Sequence, residues 1–290
     1  MTAATLSPAR QMVARAGRHR GLIISGTILA LIVLIAILAP LLAPHDPYKQ
    51  SLMARMKPPF WMAGGSDRYL LGTDALGRDM LSRLLYGTRV SLMIGLLAAG
   101  VSAVIGTVMG IAAGYFGGRV DRVVLYLINV RLAMPVILVA LAAVSLLGGS
   151  VWIVTAVMGL LLWDRFAVVL RAATMQVRSM EYIAAAEMLG ARPTRILWKD
   201  VLPNIMSQLI VILTLEMAHA IILEAGLSFL GLGVQPPTPS WGLMIAEGKE
   251  LLMFESWPIM IPGIALFILV FSINMFGDAI RDVTAPEGRN

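Results

Sequence analysis

The sequence predicts an all-α membrane protein with six transmembrane helices, and three observations carry that prediction. Of the 290 residues 58% are hydrophobic and only 14% are charged, whereas a soluble domain carries about 25% charge. The apolar residues gather into runs of about 20, the length that crosses a hydrocarbon core roughly 30 Å thick. An open backbone cannot be satisfied in lipid, so each such run is read as a helix. With no cysteine, the chain has no disulfide framework, thiolate metal site or cysteine nucleophile. His19, His45 and His219 are too scattered to cluster on a metal by local spacing. The net charge of +6 sits at span ends, without the aromatic-interleaved basic stretches of a nucleic-acid binder, so it reads as orienting charge.

A tail over 1–21 holds Arg10, Arg15, Arg18 and Arg20 and precedes the first span, 22–42. That run is longer than the roughly 7–15 residues of a secretory signal core, so an uncleaved span is expected. An outer segment, 43–89, opens with Pro44, Pro47, Pro58 and Pro59, which preclude a continuous helix. Beyond them Leu81, Leu84 and Leu85 recur at helical spacing opposite Arg78, Asp79, Ser82 and Arg83, the pattern of an amphipathic helix lying at the interface. The second span runs from Ser91 to about Phe116 and carries Gly106, Gly110 and Gly114 at a spacing that admits a neighbouring backbone. The third, Val123 to Leu147, contains Asn129, Arg131 and Pro135; the fourth starts at Val151 and meets Asp164 and Arg165. Arg131, Asp164 and Arg165 are read as packing or interfacial charges.

The connector from Arg171 to Asn204 reads as helix, turn, helix. An alanine-rich stretch over 181–190 favours helix, Gly190 suits its C-terminal stop, and Pro193 suits the first turn of the next. The fifth span, Ile205 to Gly226, includes Glu216 and His219 on one helix face, with Glu224 near its outer end. An ionisable group inside a span is costly and faces the bundle or a water-filled path. These three are therefore either path-lining groups or an internal hydrogen-bonded set that holds helices together. The segment 227–257 is rich in Pro and Gly and reads as a loop, and the sixth span, Ile259 to about Ile280, leads to a tail at 283–290. With both termini inside, the inner pieces hold 13 of the 23 Lys and Arg and the outer pieces 8, an excess that favours N-in and C-in.

The connector carries Ala185, Ala186, Gly190, Leu202 and Pro203 at the spacing of a known inner-loop signature: Glu-Ala-Ala, three residues, Gly, nine residues, Ile, one residue, Leu-Pro. Ala184 stands in place of its Glu and Asp200 in place of its Ile. Two outer stretches, Leu71 to Asp79 continuing to Tyr86-Gly87, and Glu224 to Gly242, extend the match. On these residues the chain resembles the permease subunits of ATP-binding-cassette importers, specifically the second permease subunit of dipeptide and oligopeptide uptake systems.

The resemblance implies a type I ABC importer transmembrane domain over 90–282, in the cell membrane of a prokaryote. It implies a coupling helix, about 181–190, that docks an ATPase through Glu181, Ala184, Ala185, Ala186, Glu187, Leu189 and Gly190. The implied partners are a homologous permease subunit, two cytoplasmic ATPase subunits or domains, and an external substrate-binding protein that delivers di- or oligopeptides. Tyr86-Gly87 and the proline-rich outer loop would meet the binding protein or shape the outer gate. No cofactor and no catalytic chemistry are expected in this chain; ATP and magnesium would belong to the ATPase subunits. In agreement, Gly248-Lys249 is followed by Glu250 and does not make a phosphate-binding loop. Other cargoes of the same importer class, such as a nickel chelate or haem, are the alternative. An ion-coupled secondary transporter would call for an internal repeat, which the two halves do not display, and a non-transporting scaffold would leave the connector without a partner.

Overall fold

The computed structural model describes Gly17 and residues 19–284. Most of the expected tails, 1–21 and 283–290, lies outside the described residues. Helix α1 spans Arg20–Leu42 and begins where the His19 ring accepts a hydrogen bond from the Leu22 N–H at 3.2 Å. Its exposed Ile23, Ile24, Leu31, Leu34 and Ile37 form a lipid-facing surface, since nothing in a hydrocarbon solvent drives them inward.

Helix α2, Met80–Phe116, is 37 residues long. At 1.5 Å per residue it reaches about 56 Å, well beyond the hydrocarbon thickness of about 30 Å. The expected interfacial helix is thus the first turns of α2 and not a separate element. The expected sidedness is also reversed: Arg78, Asp79, Ser82 and Arg83 are buried, while Leu81, Leu84 and Leu85 are half-buried. The reason is an ion-pair cluster. Arg78 Nη2 donates to Glu247 Oε1 at 2.9 Å, Arg83 Nη1 lies 2.8 Å from Glu247 Oε2, and both guanidiniums also pair with Asp74. Opposite charges this close can leave water together, although one alone cannot. Arg83→Leu is therefore expected to lower stability by roughly 3–5 kcal/mol, because Asp74 and Glu247 then share a single cation; thermal unfolding in detergent measures it.

The third expected span is a broken one. Helices α3, Gly118–Ala133, and α4, Val136–Leu147, meet at an angle of 84°. Pro135 forces the break, since the residue before a proline avoids helical backbone, and Met134 is extended at φ −96° and ψ 124°. The fourth run is two helices, α5, Val151–Leu161, and α6, Trp163–Arg178, which continue as one span past an interruption at Leu162. Arg131 serves both breaks: its Nε donates to the Leu161 carbonyl at 2.7 Å and its Nη1 to the Met134 carbonyl at 3.4 Å. A guanidinium at two helix C-termini supplies donors to carbonyls that helix geometry leaves open, which fits the packing role expected of it.

The glycine stripe of α2 faces α6. A Cβ on Gly110 would lie 2.8 Å from the Ala167 carbonyl oxygen and 3.0 Å from the Arg171 nitrogen, and one on Gly114 would lie 2.7 Å from the Arg171 carbonyl oxygen. Backbones that meet this closely gain dispersion contact, the main attraction between helices in lipid. A short helix α7, Glu181–Met188, and a single turn α8, Pro193–Ile196, make the helix-turn-helix of the connector. A π-helical turn at Leu197–Val201 follows. The fifth span is α9, Met206–Phe229, and the sixth is α11, Trp257–Thr284. Between them the expected loop holds one helix, α10, Trp241–Lys249, too short to cross a bilayer. Among the described residues, five helices or continuous helix pairs are long and apolar enough to span, and six if α3 and α4 count as one bent span.

The ends of the bundle are fixed by contacts. His19 lies 3.5 Å from Asp282, so the start of α1 meets the end of α11. At the opposite face the His45 N–H donates to Ser82 Oγ at 3.1 Å, joining the end of α1 to the start of α2. Because α2 runs antiparallel to α1, its last turn, with Tyr115, returns to the face where His19 meets Asp282, and α7 packs there.

Candidate functional site

The connector is a rigid elbow. Ile183, 1% exposed, enters an apolar cluster with Leu170, Val177, Ile196 and Val201. The Tyr115 hydroxyl donates to Glu187 Oε1 at 3.0 Å, and the Arg178 guanidinium lies 5.5 Å from the centre of the Tyr115 ring. Asn204 Nδ2 donates to the Tyr182 hydroxyl at 3.2 Å. The helix is therefore packed against the C-terminal ends of α2 and α6.

Its C-terminus explains the glycine. Gly190 has φ +77°, a left-handed conformation that costs other L-residues roughly 1–2 kcal/mol. The Gly190 N–H donates to the Glu187 carbonyl at 3.0 Å and the Ala191 N–H to the Ala186 carbonyl at 3.0 Å, the paired bonds of a Schellman turn. Of the residues expected to dock a partner, Glu181, Ala184, Ala185, Glu187, Leu189 and Gly190 are exposed and Ala186 is half-buried. Met188 and Leu189 are 87% and 88% exposed. Two large apolar side chains thus project from the tip of a braced elbow.

Within the spans the structure brings Glu216 and His219 together, with His219 Nδ1 3.2 Å from Glu216 Oε2. It adds a partner that the sequence reading had set apart: Arg165 Nη1 donates to Glu216 Oε1 at 3.0 Å. The acid is buried and the guanidinium is half in the open. Residues 51 positions apart on different spans carry no local spacing signal for such a pair; the one available cue was that each is an ionisable residue in a membrane-spanning run. Glu224 stands apart from this group. Its Oε1 accepts from Ser228 at 2.8 Å and from Ser240 at 2.9 Å, and Ser240 Oγ in turn accepts from the Leu243 N–H at the start of α10. Glu224 thereby ties the C-terminal end of α9 to α10, and a Cβ on Gly242 would lie 2.7 Å from its Oε2.

Two further contacts had no sequence signal. Arg171 pairs with Asp121 through both carboxylate oxygens, one at 2.7 Å, joining α6 to the first turn of α3. Trp241 Nε1 donates to the Leu84 carbonyl at 2.9 Å and its ring covers Gly87, whose Cβ would lie 2.8 Å from Trp241 Cδ1. Gly87 is occupied by an internal contact.

Comparison with known proteins places this geometry. Residues 106–289 match the family described as binding-protein-dependent transport system inner membrane component, and residues 7–59 match the N-terminal transmembrane domain of oligopeptide transport permease C. The dipeptide transport system permease protein of Haemophilus influenzae is 37% identical over 93% of this chain and 92% of its own. The di/tripeptide transport system permease protein of Pseudomonas aeruginosa is 37% identical over 98% and 94%. The glutathione transport system permease protein of Pectobacterium atrosepticum is 34% identical over 97% and 92%. Among solved structures, a chain of the MetNI methionine ABC transporter in an inward-facing form superposes with a TM-score of 0.60 over 71% of this chain and 98% of its own, at 19% identity. That likeness establishes the type I importer transmembrane fold.

Proposed function

The chain belongs to the family of binding-protein-dependent transport inner-membrane components, and from that premise we propose that it is the peptide-carrying permease subunit of an ATP-driven importer, paired with a homologous permease. The names of its relatives support a di- or tripeptide cargo, and the glutathione permease among them supports a short peptide-like cargo over a metal chelate. The observation that carries the mechanism is the elbow. Met188 and Leu189 project from a helix bonded to α2 and α6, on the face where His19 meets Asp282. The excess of Lys and Arg in the segments of that face supports its being cytoplasmic.

In this reading an ATPase subunit covers Met188 and Leu189, and ATP, with magnesium, binds in the ATPase dimer and not in this chain. Closure of the dimer displaces the elbow, and Tyr115, Arg178 and the apolar cluster around Ile183 pass the movement to α2 and α6. A nucleotide biases two states only by interacting differently with them, and a braced lever converts that difference into inward- or outward-open helices. The chain itself performs no bond chemistry. An external binding protein delivers the cargo to the face holding Glu247 and α10.

The test is isolation of the complex from native membranes followed by reconstitution into vesicles. Co-isolation of a second permease and ATPase subunits, with peptide uptake that requires both ATP and the binding protein, is the expected result. Uptake driven by an ion gradient without an ATPase would reject the reading.

A further inference from the structure

We infer that Arg165 is a cargo-binding residue of the translocation path, which takes a carboxylate of the solute in transit; the inference rests on the importer reading above. Arg165 is near the centre of the continuous α5–α6 segment, Val151–Arg178, and Glu216 near the centre of α9, Met206–Phe229, so the pair sits at mid-membrane depth. The two partners have opposite environments: the side chain of Glu216 is 1% exposed and that of Arg165 is 56% exposed. A guanidinium presented to hydrocarbon at this depth costs roughly 2.5–3.5 kcal/mol even by the lenient insertion scales. The open side of Arg165 therefore faces water or protein.

A neighbouring cleft argues for water. One helical turn further along α6, Val169 shares the face of Arg165 and lines a cleft of about 440 Å³. Ser207, Gln208, Leu215 and Arg281 also line it, Leu215 beside Glu216 and Arg281 on the last turns of α11. The cleft thus begins about one turn from the ion pair and leads toward the last turns of α11, with Val211 and Ile212 set among its polar and cationic groups.

The chemistry follows from the pairing. Glu216 uses one of the five guanidinium N–H donors. It holds the planar group in one orientation, and His219, 3.2 Å from the other carboxylate oxygen, holds the acid. The remaining donors present a fork that matches a carboxylate bidentately. A peptide offers such a group at its C-terminus, and an acidic side chain offers a second.

The test compares wild type, Arg165→Gln, Arg165→Lys and Arg165→Gln/Glu216→Gln in the reconstituted complex with its binding protein. The measured quantities are uptake, binding-protein-stimulated ATP hydrolysis and co-isolation of all subunits. Arg165→Gln is expected to lower uptake about tenfold or more while hydrolysis and assembly persist, with Arg165→Lys intermediate. The double variant should stay as low as the single one, because the ligand contact is still missing. A structural ion pair behaves differently: removing both partners is close to neutral, so restored uptake in the double variant overturns the inference. Unchanged uptake in Arg165→Gln, or loss of the second permease on isolation, also overturns it.

Paired cargoes identify the carboxylate. An equal loss for Ala-Glu and Ala-Gln assigns the C-terminal group, and a greater loss for Ala-Glu assigns the side chain. If the wild-type complex imports a carboxylate-bearing solute other than a peptide, the peptide assignment falls and the Arg165 comparison is read on that solute. Import restricted to solutes without a carboxylate overturns the inference itself.

Discussion

Gly110→Val is expected to prevent accumulation of the folded protein. The added Cβ would lie 2.8 Å from the Ala167 carbonyl oxygen and 3.0 Å from the Arg171 nitrogen, both backbone atoms of α6 that no rotamer change can move. Gly106 is enclosed in the same way by Trp163 and Phe166, and Gly114 by Arg171 and Thr174, so α6 cannot retreat locally without opening the whole seam. Overpacking of this kind costs about 3 kcal/mol or more, and no gain in water-driven burial offsets it in lipid. Gly100→Ala on the same helix is the control, because nothing lies within 4 Å of the Cβ it would add. Its protein level and thermal midpoint in detergent should match wild type, whereas Gly110→Val should show little protein at any temperature. Equal levels for the two variants would remove the glycine stripe as the reason for the α2–α6 contact.

Leu189→Asp, alone or with Met188→Asp, is expected to produce the opposite pattern: intact protein and no transport. Both side chains are almost fully exposed, at 88% and 87%, so the fold loses no buried contact and the thermal midpoint should stay within error of wild type. If an ATPase covers these residues, the substitution places an unpaired carboxylate in an apolar contact. Burying such a charge costs several kcal/mol, enough to reduce docking by more than about a hundredfold at 1.4 kcal/mol per decade. Peptide uptake and co-isolation of the ATPase should fall together. Full uptake with normal co-isolation would show that the tip of the elbow is not where force enters.

The two variants differ because they probe different kinds of information. The glycine spacing was legible in the amino-acid order, and so was the elbow: alanine-rich helix, Gly190, Pro193. The helix ends at Met188, with Gly190 in the left-handed turn. These are local features, set within one or two turns of chain. The start of α2 was misread for the converse reason. Leu81, Leu84 and Leu85 give an amphipathic period, and period alone assigns the charged side to water. Glu247, more than 160 positions away, is what draws Arg78 and Arg83 inward, and no local pattern announces a distant counter-charge.

The same division holds for the site. Each ionisable group inside a span was visible as an anomaly, since lipid makes every one of them costly. Which anomaly answered which was not visible. Arg131 closes two helix ends, Glu224 fastens α9 to α10, and Arg165 joins Glu216 while remaining open. Before folding, the third of these was indistinguishable from the first.

The sequence by itself determined that this chain lives in a membrane, that its long apolar runs are helical, which helix face is smooth enough to meet another backbone, and where the connector between its fourth and fifth runs bends. Those properties follow from side-chain transfer energies and from backbone preferences of single residues, which act within a turn or two of helix. Only the tertiary structure decided how the charges pair, that the third span is sharply bent, and that one guanidinium within the spans is left half-free. Pairing energies depend on distance through space, and the helices that bring Arg165 to Glu216 are joined by a connector whose length says nothing of which side chains will meet.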